Sequence, residues 1–305
     1  MAPAPTVEGR LICACNCAYD ITQTGQLPTD PTTKYYIGAG FQSTPAAFVD
    51  PTGIHAGLVG NTPDGVVLAL RGTLSFDFHD RLSLRDWVND FAAALVPPDW
   101  LPADSGARVH DGFLSALEAL VGQGAQTEVT SRLQAAGAGT KLLITGHSKG
   151  GGVAPLAAMR LWKTAAFPSQ VVTFAAPHAG NPAFADLYGN ASIVHTRYEF
   201  QDDIVPHVPP TIGGVLAQLE SVPWIGNLLP GLLQFDYEPV GELRFIDWSN
   251  DIVADSKPLQ LHRLAHLVEI ILTEQWDVFR LDHQISCEAK GGYIPVVCPA
   301  GVCAP

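Results

Sequence analysis

Short, uninterrupted apolar runs alternate along this chain with longer stretches whose apolar residues recur at helical spacing. Residues 66–70 and 142–145 form runs of the kind found in strands buried on both faces, and 171–175 and 193–198 repeat that signal. Residues 46–49 and 54–59 are shorter strand candidates, and Pro63-Asp64-Gly65 marks a turn into the strand at 66–70. Segments 12–21, 84–94, 113–121 and 153–163 read as helices, the last with small residues toward a sheet. Buried strands alternating with helices predict an α/β fold with a mostly parallel sheet covered on both faces, because parallel neighbours need crossover connections.

Composition narrows this picture. With 305 residues, 47% hydrophobic and 15% charged, the chain can build one large core, so residues 1–305 are expected to form a single domain. A net charge of -13, with 17 scattered Lys and Arg, repels phosphate backbones and argues against a nucleic-acid partner. The stretch 211–235 carries only Glu220 as a formal charge, but Pro223, Pro230 and several glycines interrupt it. It reads as a surface segment that touches lipid, or as a buried insertion, rather than as a membrane span. The start, Met-Ala-Pro-Ala-Pro, lacks the charged and apolar regions of a signal peptide, so either the chain is not exported by that route or the signal was removed.

Six cysteines fall in two groups, Cys13, Cys15 and Cys17 near the start and Cys287, Cys298 and Cys303 near the end. Neighbours two apart do not pair easily, so a bridge would join the two groups; buried thiols are the alternative. The C-x-C-x-C run lacks the usual zinc spacing.

The chemistry centres on Gly146-His147-Ser148-Lys149-Gly150, a G-x-S-x-G pattern between an apolar strand and a helix. A serine at such a turn stands at a helix N-terminus, whose free N–H groups and dipole favour an oxyanion. The phosphate-loop lookalikes at 137–141 and 148–150 fail, since neither has Gly directly before Lys and Ser or Thr directly after it. Three histidines lie late in the chain. His262 and His266 share a helix face with Glu269 and read as a solvated polar stripe, or, less simply, as metal ligands without the H-E-x-x-H pattern; His283 follows a helix end.

Five separated blocks resemble, in order, those of the class 3 lipase family: 67–73 ending in Arg-Gly-Thr, Val109-His110-Asp111-Gly112-Phe113, the serine turn, Thr173-Phe174-Ala175-Ala176-Pro177 with Gly180-Asn181, and Asp203-Ile204-Val205-Pro206. The likeness is close over residues 12–210 and looser beyond. It implies an α/β-hydrolase fold and a triad of Ser148, Asp203 and His283, the last matching the family's Asp-His position. It also implies an oxyanion hole from the backbone N–H groups of Lys149 and Thr73 and a bridge between the N-terminal helix and the C-terminal tail. Such a bridge would pair, for example, one of Cys13, Cys15 or Cys17 with Cys298 or Cys303. Residues 83–90 resemble the family's lid helix, which makes 74–91 a lid candidate or else an ordinary surface helix, and the apolar run at 211–235 is a second lid candidate on its own composition. Lys149 departs from the apolar residue often found there, and His110, His147 and His207 are read as structural. The implied activity is ester hydrolysis, by a lipase acting on acylglycerols at a lipid–water interface, with no metal or organic cofactor required. Alternatives are an esterase on soluble esters, of feruloyl esterase or phospholipase A1 type, and a non-catalytic binding module on the same fold.

Overall fold

The computed structural model describes residues 6–27, 34–74, 94–165, 169–209, 211, 236–285 and 291–298. An eight-stranded sheet runs in the order β1-β2-β3-β6-β7-β8-β9-β10. Its strands are β1 (Ala46–Val49), β2 (Ala56–Thr62), β3 (Gly65–Leu70), β6 (Leu142–His147), β7 (Ser169–Phe174), β8 (Val194–Phe200), β9 (Glu242–Ile246) and β10 (Ile252–Val253). Pairings from β3 through β9 are parallel, and the antiparallel ones lie at the two edges. A separate short ribbon pairs β4 (Leu95–Val96) with β5 (Val109–His110). The mostly parallel sheet inferred from the apolar runs is therefore present.

Helices cover both faces, as a parallel sheet requires. One core joins the sheet to α3 (Asp111–Gly122), α4 (Ala125–Ala136), α5 (Lys149–Ala165) and α6 (Pro182–Asn190), and reaches α7 (Lys257–Leu272) and α8 (Trp276–Asp282). The other packs α1 (Val7–Tyr19), α2 (Lys34–Ala39) and α9 (Ile294–Val297) on the opposite face, around Val67, Leu143, Val172 and Phe174. Thr6 starts α1, its hydroxyl accepting the Gly9 N–H at 3.0 Å. That helix is buried along Leu11, Ile12, Cys13, Ala14, Cys15 and Cys17, which explains its apolar, cysteine-rich sequence.

Cys13 is disulfide-bonded, and not to Cys298, whose sulfur lies 3.9 Å away. The Cys15 thiol instead meets Thr145 Oγ1 at 3.1 Å, and burial pushes it up to about 12. The helix expected at 84–94 and both lid segments lie outside the described residues, apart from Leu74, Ala94 and Thr211 at their ends. Two elements gave little sequence signal. Helix α4 buries only Ala125, Val129 and Leu133, and β9 alternates exposed Glu242 and Arg244 with buried Leu243 and Phe245.

Candidate active site

Strand β6 ends at His147 and α5 begins at Lys149, leaving Ser148 alone in the turn at φ 56°. A left-handed conformation is strained for serine. Three bonds hold it: the Ser148 N–H donates to Phe174 O on β7 at 3.0 Å, and its carbonyl accepts from Gly151 and Gly152 at 2.8 and 3.2 Å. The flanking glycines let the backbones close. A Cβ at Gly146 would lie 2.2 Å from Gly150 O, and one at Gly150 would lie 2.1 Å from Leu70 O.

Asp203 stands beyond the end of β8, its N–H donating to Phe200 O at 2.9 Å. Its side chain is wholly buried and accepts three kinds of donor. His283 Nδ1 is 3.0 Å from both carboxylate oxygens, the Tyr293 hydroxyl donates to Oδ2 at 2.7 Å, and the Val205 N–H donates to Oδ1 at 3.0 Å. A carboxylate only accepts, so the imidazole proton sits on Nδ1 and Nε2 is left as the basic nitrogen. His283 caps the C-terminus of α8, which turns a short helix into the arm that presents the imidazole.

His147 joins the serine turn to this arm. Its Nε2 lies 2.8 Å from the His283 carbonyl, an acceptor, so Nε2 donates and Nδ1 accepts the Tyr19 hydroxyl at 2.7 Å. Burial holds the His147 imidazole well below the usual histidine range, which keeps it neutral in this role. The rings of His147 and His283 are 4.6 Å apart, so the residue before Ser148 packs on the residue paired with Asp203. Beside them opens a cavity of about 330 Å³ lined by Tyr19, Thr73, Leu74, His147, Arg280 and His283 among others. A larger one, about 850 Å³, lies along β1 and α2 and shares no residue with this group, so we assign the chemistry to the smaller.

Thr73 is exposed on this cavity, and Lys149 opens α5, where an N–H has no acceptor within the helix. The Lys149 side chain turns to His55, Nζ to Nδ1 3.2 Å. Burial and the neighbouring Arg71 push its pKa down to about 8.

His262 and Glu269 are exposed and His266 is half-buried, in keeping with a polar stripe. Both histidines pack on Trp248, at ring separations of 4.6 and 4.2 Å, and His266 Nδ1 lies 3.5 Å from Asp202 Oδ1. Among the described residues no cluster has the makeup of a metal site. The sequence reading missed Tyr293, Tyr19 and Asp282 as neighbours of the site. No local pattern marks them, since each acts on a group at least 80 residues away.

The model of the family described as Lipase (class 3) matches residues 67–213. The secreted mono- and diacylglycerol lipase 1 of Fusarium solani is 29% identical over 68% of this chain and 56% of its own length. A lipase of Rhizomucor miehei is 32% identical over 59% of this chain and 48% of its own. The chain thus spans about half the length of the curated relatives it matches. A solved triacylglycerol lipase, described as having a serine protease triad for its catalytic centre, superposes with a TM-score of 0.61 at 20% identity, covering 84% of this chain and 87% of that one. Residues 67–213 thus resemble the class 3 lipase family, and the sheet has the fold of the solved lipase, that of an α/β-hydrolase.

Proposed function

We propose that this protein hydrolyses carboxylic esters, acylglycerols foremost, through an acyl-enzyme on Ser148. The observation that carries the reading is the imidazole of His283, held by Asp203 at 3.0 Å through Nδ1 and packed on His147 beside the serine turn. In this reading His283 Nε2 takes the serine proton as Oγ attacks the ester carbonyl, then returns it to the leaving alcohol. Asp203 orients the ring and stabilises the imidazolium without taking the proton. The N–H groups of Lys149 and Thr73 stabilise the tetrahedral oxyanion, a contribution typically worth about 10²–10³-fold in turnover per donor. Water activated by His283 then releases the acid.

The named activity of the Fusarium and Rhizomucor relatives supports acylglycerol as substrate, and the secreted relative supports export. We take the whole chain as one domain. Among the described residues no helix is long and apolar enough to cross a membrane.

A fluorophosphonate probe tests the nucleophile. It should label Ser148, and Ser148→Ala should lose labelling and at least about 10⁴-fold in turnover while keeping its melting temperature. Measurable turnover above that level in the alanine variant would overturn the serine mechanism. Rates on a sparingly soluble acylglycerol, measured across its solubility limit, test the substrate: a jump at the limit supports a lipase, and smooth saturation with faster turnover of soluble esters supports an esterase.

A further inference from the structure

Asp203 and His283 are each directly preceded by an aspartate, Asp202 and Asp282. These two are also in contact. The Asp202 N–H donates to Asp282 Oδ2 at 3.1 Å, and both residues are buried. The arm that carries His283 is therefore tied to the loop that carries Asp203 at two adjacent points, side chain to side chain and side chain to main chain. One attachment leaves a pivot, whereas two fix distance and direction together.

We propose that Asp282 is a positioning residue, which sets the approach of His283 to Ser148 by holding the peptide N–H of Asp202.

The surroundings support a specific role for this carboxylate. Asp282 forms no ion pair among the described residues, and it faces Asp202 and Asp203, so burial and like charge work against its ionised form and push its pKa up to about 7. The Asp202 carboxylate has its own partners, Trp248 Nε1 at 2.8 Å and His266 Nδ1 at 3.5 Å, and does not compensate Asp282. For packing alone an apolar residue would be less costly at this point. What an apolar residue lacks is an acceptor for the Asp202 N–H, which would otherwise be left buried without one.

This inference rests on the ester-hydrolase reading, and its test separates the two. Turnover and KM for a soluble p-nitrophenyl ester, fluorophosphonate labelling and melting temperature are measured on the parent, Asp282→Asn and Asp282→Ala. A misplacement of a reacting group by about 1 Å costs on the order of 10²-fold, so Asp282→Ala should lose about 10–100-fold in kcat with KM within about twofold. Asp282→Asn keeps an acceptor oxygen and should recover to within about fivefold of the parent. If the alanine variant does not fold, Asp282→Leu, of similar volume and without an acceptor, carries the same expectation. The inference is overturned if kcat of a folded alanine or leucine variant is unchanged, or if Asp282→Asn falls as far as either. A parent that neither hydrolyses the ester nor reacts with the probe defeats the ester-hydrolase reading instead.

Discussion

At the scale of single residues, the site depends on hydrogen bonds that arrive from far along the chain. Asp203 is held by His283, Tyr293 and Val205, and only the last is a sequence neighbour. The Tyr293 hydroxyl also accepts the Phe200 N–H at 3.1 Å, so one oxygen links the end of β8 to the carboxylate. Hydrogen bonds to charged groups are worth about 1.5–3 kcal/mol. Tyr293→Phe keeps the ring packed against Phe174 and Phe200 but deletes both bonds. We expect steady-state kinetics to give a kcat lowered by about tenfold, the equivalent of roughly 1.4 kcal/mol in the barrier, with KM little changed. An unaltered kcat would mean that His283 alone suffices to orient the acid. The sequence singled out Ser148 and Asp203 because each sits in a short block with its own signature, whereas His283 was singled out among the late histidines only by the family likeness. Tyr293 was not, because its partner is 90 residues away and nothing around it is periodic.

At the scale of elements, the decisive contact is between the serine turn and strand β3. Gly150 packs against the Leu70 carbonyl, a main-chain atom that cannot step aside as a side chain would. Gly150→Ala should push α5 off the sheet at about 3 kcal/mol or more, the upper range for overpacking. For a domain of this size that lowers the melting temperature by roughly 6–12 °C, read by calorimetry beside Gly189→Ala. Gly189 lies exposed near the end of α6 with nothing within 4 Å of a new Cβ, so its alanine should hold or slightly raise stability. Equal losses in the two variants would refute the close-approach argument. Strands buried on both faces were legible as apolar runs, whereas α4 and β9 were not. Each presents a narrow buried face amid polar residues, so its place depends on the neighbours it meets rather than on its own pattern.

At the scale of the whole molecule, a chain of net charge -13 buries carboxylates beside one another, and this couples stability to pH. Asp282 is pushed up to about 7 in the folded protein, chiefly by burial and then by Asp202 and Asp203. In the unfolded chain it returns to about 3.9. Between these values the folded state keeps a proton that the unfolded state has lost. Its contribution is therefore full below about pH 4, falls as pH rises, and is gone above about pH 7. Asp282→Asn removes this slope, so its melting temperature should gain on the parent between pH 5 and pH 8. A gap constant over that range would show that Asp282 does not titrate there.

By itself the sequence determined the fold class, the order of the central strands along the chain, and the short blocks around Ser148 and Asp203, because burial on both faces and tight turns leave local signatures. It did not decide among the late histidines without the family likeness. The tertiary structure separates them: His262 and His266 meet Trp248, and His266 also approaches Asp202, while His283 meets Asp203. Only the tertiary structure brings Tyr19, Tyr293 and Asp282 to the site and turns Lys149 toward His55. The physical reason is range. Periodicity and turn chemistry are properties of a few adjacent residues, whereas a buried donor or acceptor takes whichever partner packing brings within about 3 Å.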